Sequence, residues 1–79
     1  MAVVKFYTYR TIIEKDEDGY HGFVPLLRGL HTCGDTIEET KENLQDAIKC
    51  HLEGLRKDGI TPPQEEDTVE VIQTVILNA

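Results

Sequence analysis

Residues Gly29 to Glu39 read GLHTCGDTIEE, and inside this stretch the spacing of the apolar residues changes from two to 3.6. Before Thr36 the chain reads as a short strand from Leu30 to Cys33. From Thr36 onward Ile37, Leu44, Ala47, Ile48, Leu52 and Leu55 fall on one stripe, with Thr40 and His51 at its margin. That is the pattern of an amphipathic helix of about six turns. Thr36 followed by Glu39 fits a capping box, in which the hydroxyl accepts a free first-turn N–H and the carboxylate reaches back. Gly34 and Gly29 shape the corner between strand and helix. Arg56 and Lys57 suit the negative end of the helix dipole, and Gly59 ahead of Pro62 and Pro63 ends the helix near Asp58.

Working outward toward the N-terminus, Val3 to Glu14 (VVKFYTYRTIIE) is rich in β-branched and aromatic residues, the composition of a strand. Val4, Phe6 and Ile12 share one face with Thr8 and Arg10, while Tyr7, Tyr9 and Ile13 share the other, so both faces are expected to be partly covered. Asp18-Gly19 is a hairpin signal because both positions accept positive φ. YHGFVP, from Tyr20, is a second strand ended by Pro25, and Gly22 within it marks a bulge or a close backbone contact. Toward the C-terminus TPPQEED is a stiff connector. TVEVIQTVIL then alternates, with Val69, Val71, Val75 and Leu77 on one side, and reads as a final strand. The order β-β-β-α-β makes an α+β domain, with a small antiparallel-rich sheet and one helix packed on one of its faces. A chain of 79 residues hides only about 60–65% of its unfolded surface, so one domain over 1–79 is expected.

A net charge of −7 with no run of Lys or Arg repels phosphate backbones and favours a positively charged protein as partner. Two cysteines, no secretory leader and no long apolar run point to the cytoplasm and away from the membrane. Self-association is expected too, because the outer face of the first strand and the apolar last strand leave surfaces or edges open.

Chemistry finds little foothold. His31, Cys33, Cys50 and His51 are soft ligands, but they lack the tight paired spacing of structural zinc, and Cys50 and His51 point some 100° apart around the helix. Cys33 precedes a helix N-terminus, yet Asp35, Glu38 and Glu39 oppose its ionisation. DEDG lacks the twelve-residue spacing of a calcium loop. A two-metal nuclease needs carboxylates from several strands, and here the first strand offers only Glu14 at its end and the last only Glu70. No metal or cofactor is expected. Glu38, Glu42 and Asp46 form an i, i+4 column on the helix. It is a solvated face near a stabilising helix N-terminus, or else a docking stripe for a basic partner.

Taken together, Gly19 and Tyr20, Val24, Pro25, Leu27 and Gly29, His31 and Thr32, Gly34, Asp35 and Thr36, Glu38 and Glu39, then Asn43, Leu44, Ala47 and Ile48 resemble the N-terminal domain of HicB-like antitoxins. The resemblance spans roughly Tyr7 to Leu55. It implies a partial ribonuclease H-like fold without an active site, and an antitoxin that covers the active surface of HicA, a small basic ribonuclease that cuts mRNA with a histidine. Thr40 stands where that family often has Ala. Many members continue into a DNA-binding module, whereas this sequence stops at Ala79, so direct DNA binding is not expected. The readings from other classes are a minimal metal-dependent nuclease and a stand-alone regulatory or assembly subunit.

Overall fold

A computed structural model describes residues 5–66 and 69–78. It is an α+β arrangement of three short strands, β1 (Ile12–Lys15), β2 (Tyr20–Phe23) and β3 (His31–Gly34), followed by one helix, α1 (Ile37–Lys57). The strands form one antiparallel sheet in the order β1-β2-β3, with Ile13 opposite Gly22 and Gly22 opposite Thr32. Register is continuous through Gly22, so the glycine makes no bulge. Its role is a close approach: a Cβ there would lie 2.7 Å from Leu44 Cδ1 and 3.1 Å from Thr40 Cγ2. Gly22 is the seat of the helix on the sheet.

Both ends of α1 close as the residue types require. Thr36 Oγ1 accepts from Glu39 N at 3.0 Å, and the Thr36 carbonyl accepts from Thr40 N at 3.0 Å and from Thr40 Oγ1 at 2.8 Å. At the other end Gly59, with φ 69°, sends its N–H to Arg56 O, while Ile60 N donates to Leu55 O at 2.9 Å. This is the paired 6→1 and 5→2 closure in which the residue after the cap turns left-handed. The helix margin needs revision. Thr40 is fully buried at 0% exposure, at the centre of the interface with the sheet, while Ile37 is 51% exposed.

The core lies under the loop between β2 and β3 as much as under the helix. Its buried apolar residues are Val24, Leu27, Leu30 and Leu44, with Tyr9, Ile13, Ala47 and Ile48 packed against them. Two consecutive turns, Leu27 N to Val24 O and Leu30 N to Leu27 O, place the three loop residues at steps of three so that all point inward. Pro25 occupies the second position of the first turn. Gly29, with φ 79°, occupies the third position of the second, where positive φ excludes most residues.

Three expectations change. The first strand is not Val3 to Glu14: Val3 and Val4 lie outside the described residues, and 5–11 form no ladder. Ile12 already pairs with Phe23, and β2 ends there because Pro25 has no N–H to extend it. The hairpin at Asp16–Gly19 does not use positive φ at Gly19. It closes by Asp16 N to Gly19 O at 2.9 Å and by an Asx turn from Asp18 N to Asp16 Oδ1, and Gly19 is needed because a Cβ would stand 2.6 Å from Gly34 O. Thirdly, residues 69–77 of the expected last strand form no strand in this single chain, and Thr68 lies outside the described residues.

Candidate functional site

Alternation along the strands sorts the polar residues onto two faces. Gly22 and Gly34 turn toward the helix, so their neighbours His21, Phe23, His31 and Cys33 turn away from it. His31 and Cys33 therefore sit on the opposite side of the sheet from Cys50 and His51, and the four soft ligands do not converge. His31 instead packs on Phe23 across the strand pair, ring centroids 5.9 Å apart. Both cysteines are free and exposed. Among the described residues no group of three or more His, Cys, Asp or Glu is placed to hold a metal ion.

What the fold does bring together is negative charge. The hairpin tip and the start of the helix meet because Gly19 and Gly34 let their backbones touch. The result is an open cleft of about 750 Å³ that includes Asp16, Glu17, Asp18, Asp35 and Glu39. Asn43 holds its floor, donating from Nδ2 to Cys33 O at 2.8 Å. On the sheet face turned away from the helix, His21 lies between two carboxylates, Nε2 at 3.2 Å from Glu14 Oε1 and Nδ1 at 3.3 Å from Asp16 Oδ2. Thr36 caps the helix, and Asp35 and Glu39 project beside it. The Glu39 carboxylate expected to reach back onto the cap thus lines the cleft.

Glu38, Glu42 and Asp46 are all exposed. Glu39 is the sequence neighbour of Glu38 and three residues from Glu42, so the helix column adjoins the cleft as one acidic surface. Sequence reasoning found the column and missed the cleft. The signal was present in DEDG, but only the register that closes the hairpin against Gly34 turns it toward Asp35.

Positive side chains gather toward the other end of α1, with Arg56 and Lys57 in its last turn. A second cavity, about 560 Å³, is lined by Lys5, Tyr7, Lys49 and Arg56 beside Glu53 and the 59–62 turn. Just beyond it Tyr9 Oη donates to Pro63 O at 2.6 Å and Arg10 N to Glu65 Oε1 at 3.4 Å, tying the N-terminal arm to the segment that leaves the helix. The Tyr9 phenol has its pKa raised, first by partial burial and then by Tyr7 and Glu65. No described helix is long and apolar enough to cross a membrane.

The family described as "HicB_like antitoxin of bacterial toxin-antitoxin system" matches residues 9–76. A UPF0150 protein of Synechocystis sp. is 36% identical over 73 residues, covering 91% of this chain and 92% of that one. Similar proteins, also named UPF0150, occur in Helicobacter pylori, 38% identical over 58 residues (73% of this chain, 81% of that one), and in Thermoplasma acidophilum, 41% over 58 residues (72% and 84%). No solved structure matches.

Proposed function

This chain belongs to the HicB-like antitoxin family, and from that premise we propose that it neutralises a small basic ribonuclease of HicA type by laying its acidic face over the toxin's active surface. The observation that carries the reading is the joining of the Glu38, Glu42 and Asp46 column to the cleft at Asp16–Asp18, Asp35 and Glu39. A surface of one sign steers an oppositely charged protein into register and raises the rate of encounter more than the final affinity. The antitoxin supplies no chemistry of its own. Its two free thiols suit a reducing cytoplasm, where such a toxin meets mRNA. Self-association belongs to the same reading, since a complex of several chains presents several inhibitory faces.

The test is inhibition of RNA cleavage by a small basic protein recovered with this chain from its native host. Wild-type chain should inhibit at a fixed stoichiometry, and the triple charge reversal Glu38→Lys, Glu42→Lys and Asp46→Lys should slow association at least about tenfold at low salt, with the difference shrinking as salt rises. Recovery of no small basic protein, or RNA cleavage that follows the isolated chain itself through purification, overturns the reading.

A further inference from the structure

Three of the chain's eight Lys and Arg side chains, Lys5, Lys49 and Arg56, line the cavity toward the C-terminal end of α1. Lys49 and Arg56 stand two helical turns apart on one side of α1. Lys5 comes from the N-terminal arm, where steps of two residues carry Lys5, Tyr7 and Tyr9 toward the helix: Tyr9 packs on the core, and Lys5 and Tyr7 line the cavity. The walls are fastened just beyond it. Tyr9 Oη donates to Pro63 O and Ile60 N to Leu55 O, which holds the arm, the helix and the 59–62 turn at fixed spacing.

The positive charge gathered here is uncompensated. Glu53 is the one carboxylate among the described residues that line the cavity, and among the described residues no ion pair joins Lys5, Lys49 or Arg56 to a carboxylate. The negative end of the helix dipole offers no bare carbonyls in exchange, because Gly54 O, Leu55 O and Arg56 O accept from Asp58, Ile60 and Gly59 N–H groups. Like charges held around one space repel, and an anion placed among them relieves that repulsion. In a chain of net charge −7 this is a local exception. A long nucleic acid could reach it only across acidic surface, whereas a small anion avoids that cost.

The remaining lining describes the other half of a ligand. Tyr7, Leu52 and Pro62 are half-buried and Ile60 lies beside them, so an aromatic ring and aliphatic surface face the same space as the cations. A cavity of about 560 Å³ has the size of a small-molecule site.

We infer that this cavity binds a nucleoside di- or triphosphate, with the phosphates among Lys5, Lys49 and Arg56 and the base against Tyr7, Leu52 and Ile60. Arg56 supplies a planar fork for two phosphate oxygens, and the two lysines supply point charges that a polyphosphate chain can follow. The cavity shares no lining residue with the acidic cleft. The inference goes beyond the antitoxin reading and stands or falls separately from it.

The full-length, isotope-labelled chain is titrated with ATP at low salt, without divalent metal, and followed by amide NMR shifts. Saturable shifts are expected at Lys5 and Tyr7, along Lys49 to Arg56 and in the 59–62 turn, with none at Asp16 to Asp18 and a Kd below about 1 mM. Lys49→Glu/Arg56→Glu reverses two exposed charges and should weaken binding at least about tenfold with the helix signal in circular dichroism unchanged. Lys49→Gln alone should shift the Kd in the same direction, so a misfolded double variant would not hide the result. Lys41→Glu alters an exposed lysine outside the cavity and should bind as the wild type does. Shifts that do not saturate, or an equal loss from Lys41→Glu, overturn the site. Inorganic tripolyphosphate binding as tightly as ATP overturns the assignment of the base.

Discussion

Gly22→Ala is the substitution that most directly tests how the helix is seated. The added methyl would stand 2.7 Å from Leu44 Cδ1, 3.1 Å from Leu44 Cγ and 3.1 Å from Thr40 Cγ2. An exposed leucine would swing aside at little cost. Leu44 is 2% exposed and packs with Val24, Leu27 and Leu30, and Thr40 is 0% exposed with its hydroxyl bound to the Thr36 carbonyl. Neither can move without opening the core or breaking a buried hydrogen bond. Overpacking of this kind costs about 1–3 kcal/mol, against which the lower unfolded-state entropy of alanine returns at most about 1. A net loss of about 1–2 kcal/mol lowers the midpoint of thermal unfolding by about 4–16 °C in a domain of this size. Thermal and urea unfolding followed by circular dichroism would measure it. Leu44→Ala removes the two nearest atoms, so in that background Gly22→Ala should cost less by about 1–2 kcal/mol in a double-mutant cycle. If Gly22→Ala leaves the midpoint within about 2 °C of wild type, or if the two changes add without coupling, the helix does not rest on this glycine.

Gly34→Ala should be worse than Gly22→Ala, because its methyl would meet the Thr40 backbone, N at 2.7 Å and Cα at 3.1 Å, and no rotamer change relieves a backbone clash; the same unfolding curves give the comparison. Thr36→Ala removes the acceptor of Glu39 N and should cost about 1 kcal/mol, read as a lower urea midpoint with an unchanged slope. Tyr9→Phe removes the bond to Pro63 O and should cost about 0.5–1.5 kcal/mol. Since the folded Tyr9 pKa is raised, the folded chain favours the neutral phenol. The contribution is complete below about pH 10 and is lost as pH rises through the folded pKa, so the stability difference between wild type and Tyr9→Phe should shrink at strongly alkaline pH.

Legibility in the sequence followed the range of the interactions. The helix could be bounded to within a residue because Thr36 and Gly59 act on their own neighbours, and the position of the hairpin was visible for the same reason, whereas Gly29, assigned to the corner between strand and helix, turns the chain ahead of β3. The part played by PLLRG was not visible. Its residues look like a connector, and they become core only when two successive turns align Val24, Leu27 and Leu30. Thr40 was placed at the helix margin by its polarity, whereas two glycines, Gly22 and Gly34, bring the sheet close enough to bury it completely. The first strand was overestimated because composition records the tendency of 5–11 to extend and says nothing about whether β2 is long enough to pair with it. The acidic column was legible from helical spacing, but the cleft beside it needs a register between the hairpin and β3 that no local pattern encodes.

The glycines connect stability to the acidic face. Asp16, Glu17 and Asp18 carry like charge to Asp35 and Glu39, and left to electrostatics the hairpin tip would stand away from the helix start. The tip is held there by Gly19 lying against the Gly34 carbonyl, with Gly34 in turn against Thr40 and Thr40 bonded to the cap. Backbone packing thus holds together charges that repel, and a basic partner placed over them would relieve that repulsion while gaining its own attraction. The charge reversals and the glycine substitutions therefore probe one surface by different routes. The first alters how fast a partner is drawn in, with its effect fading as salt rises, while the second alters how well the surface is preorganised at every salt concentration.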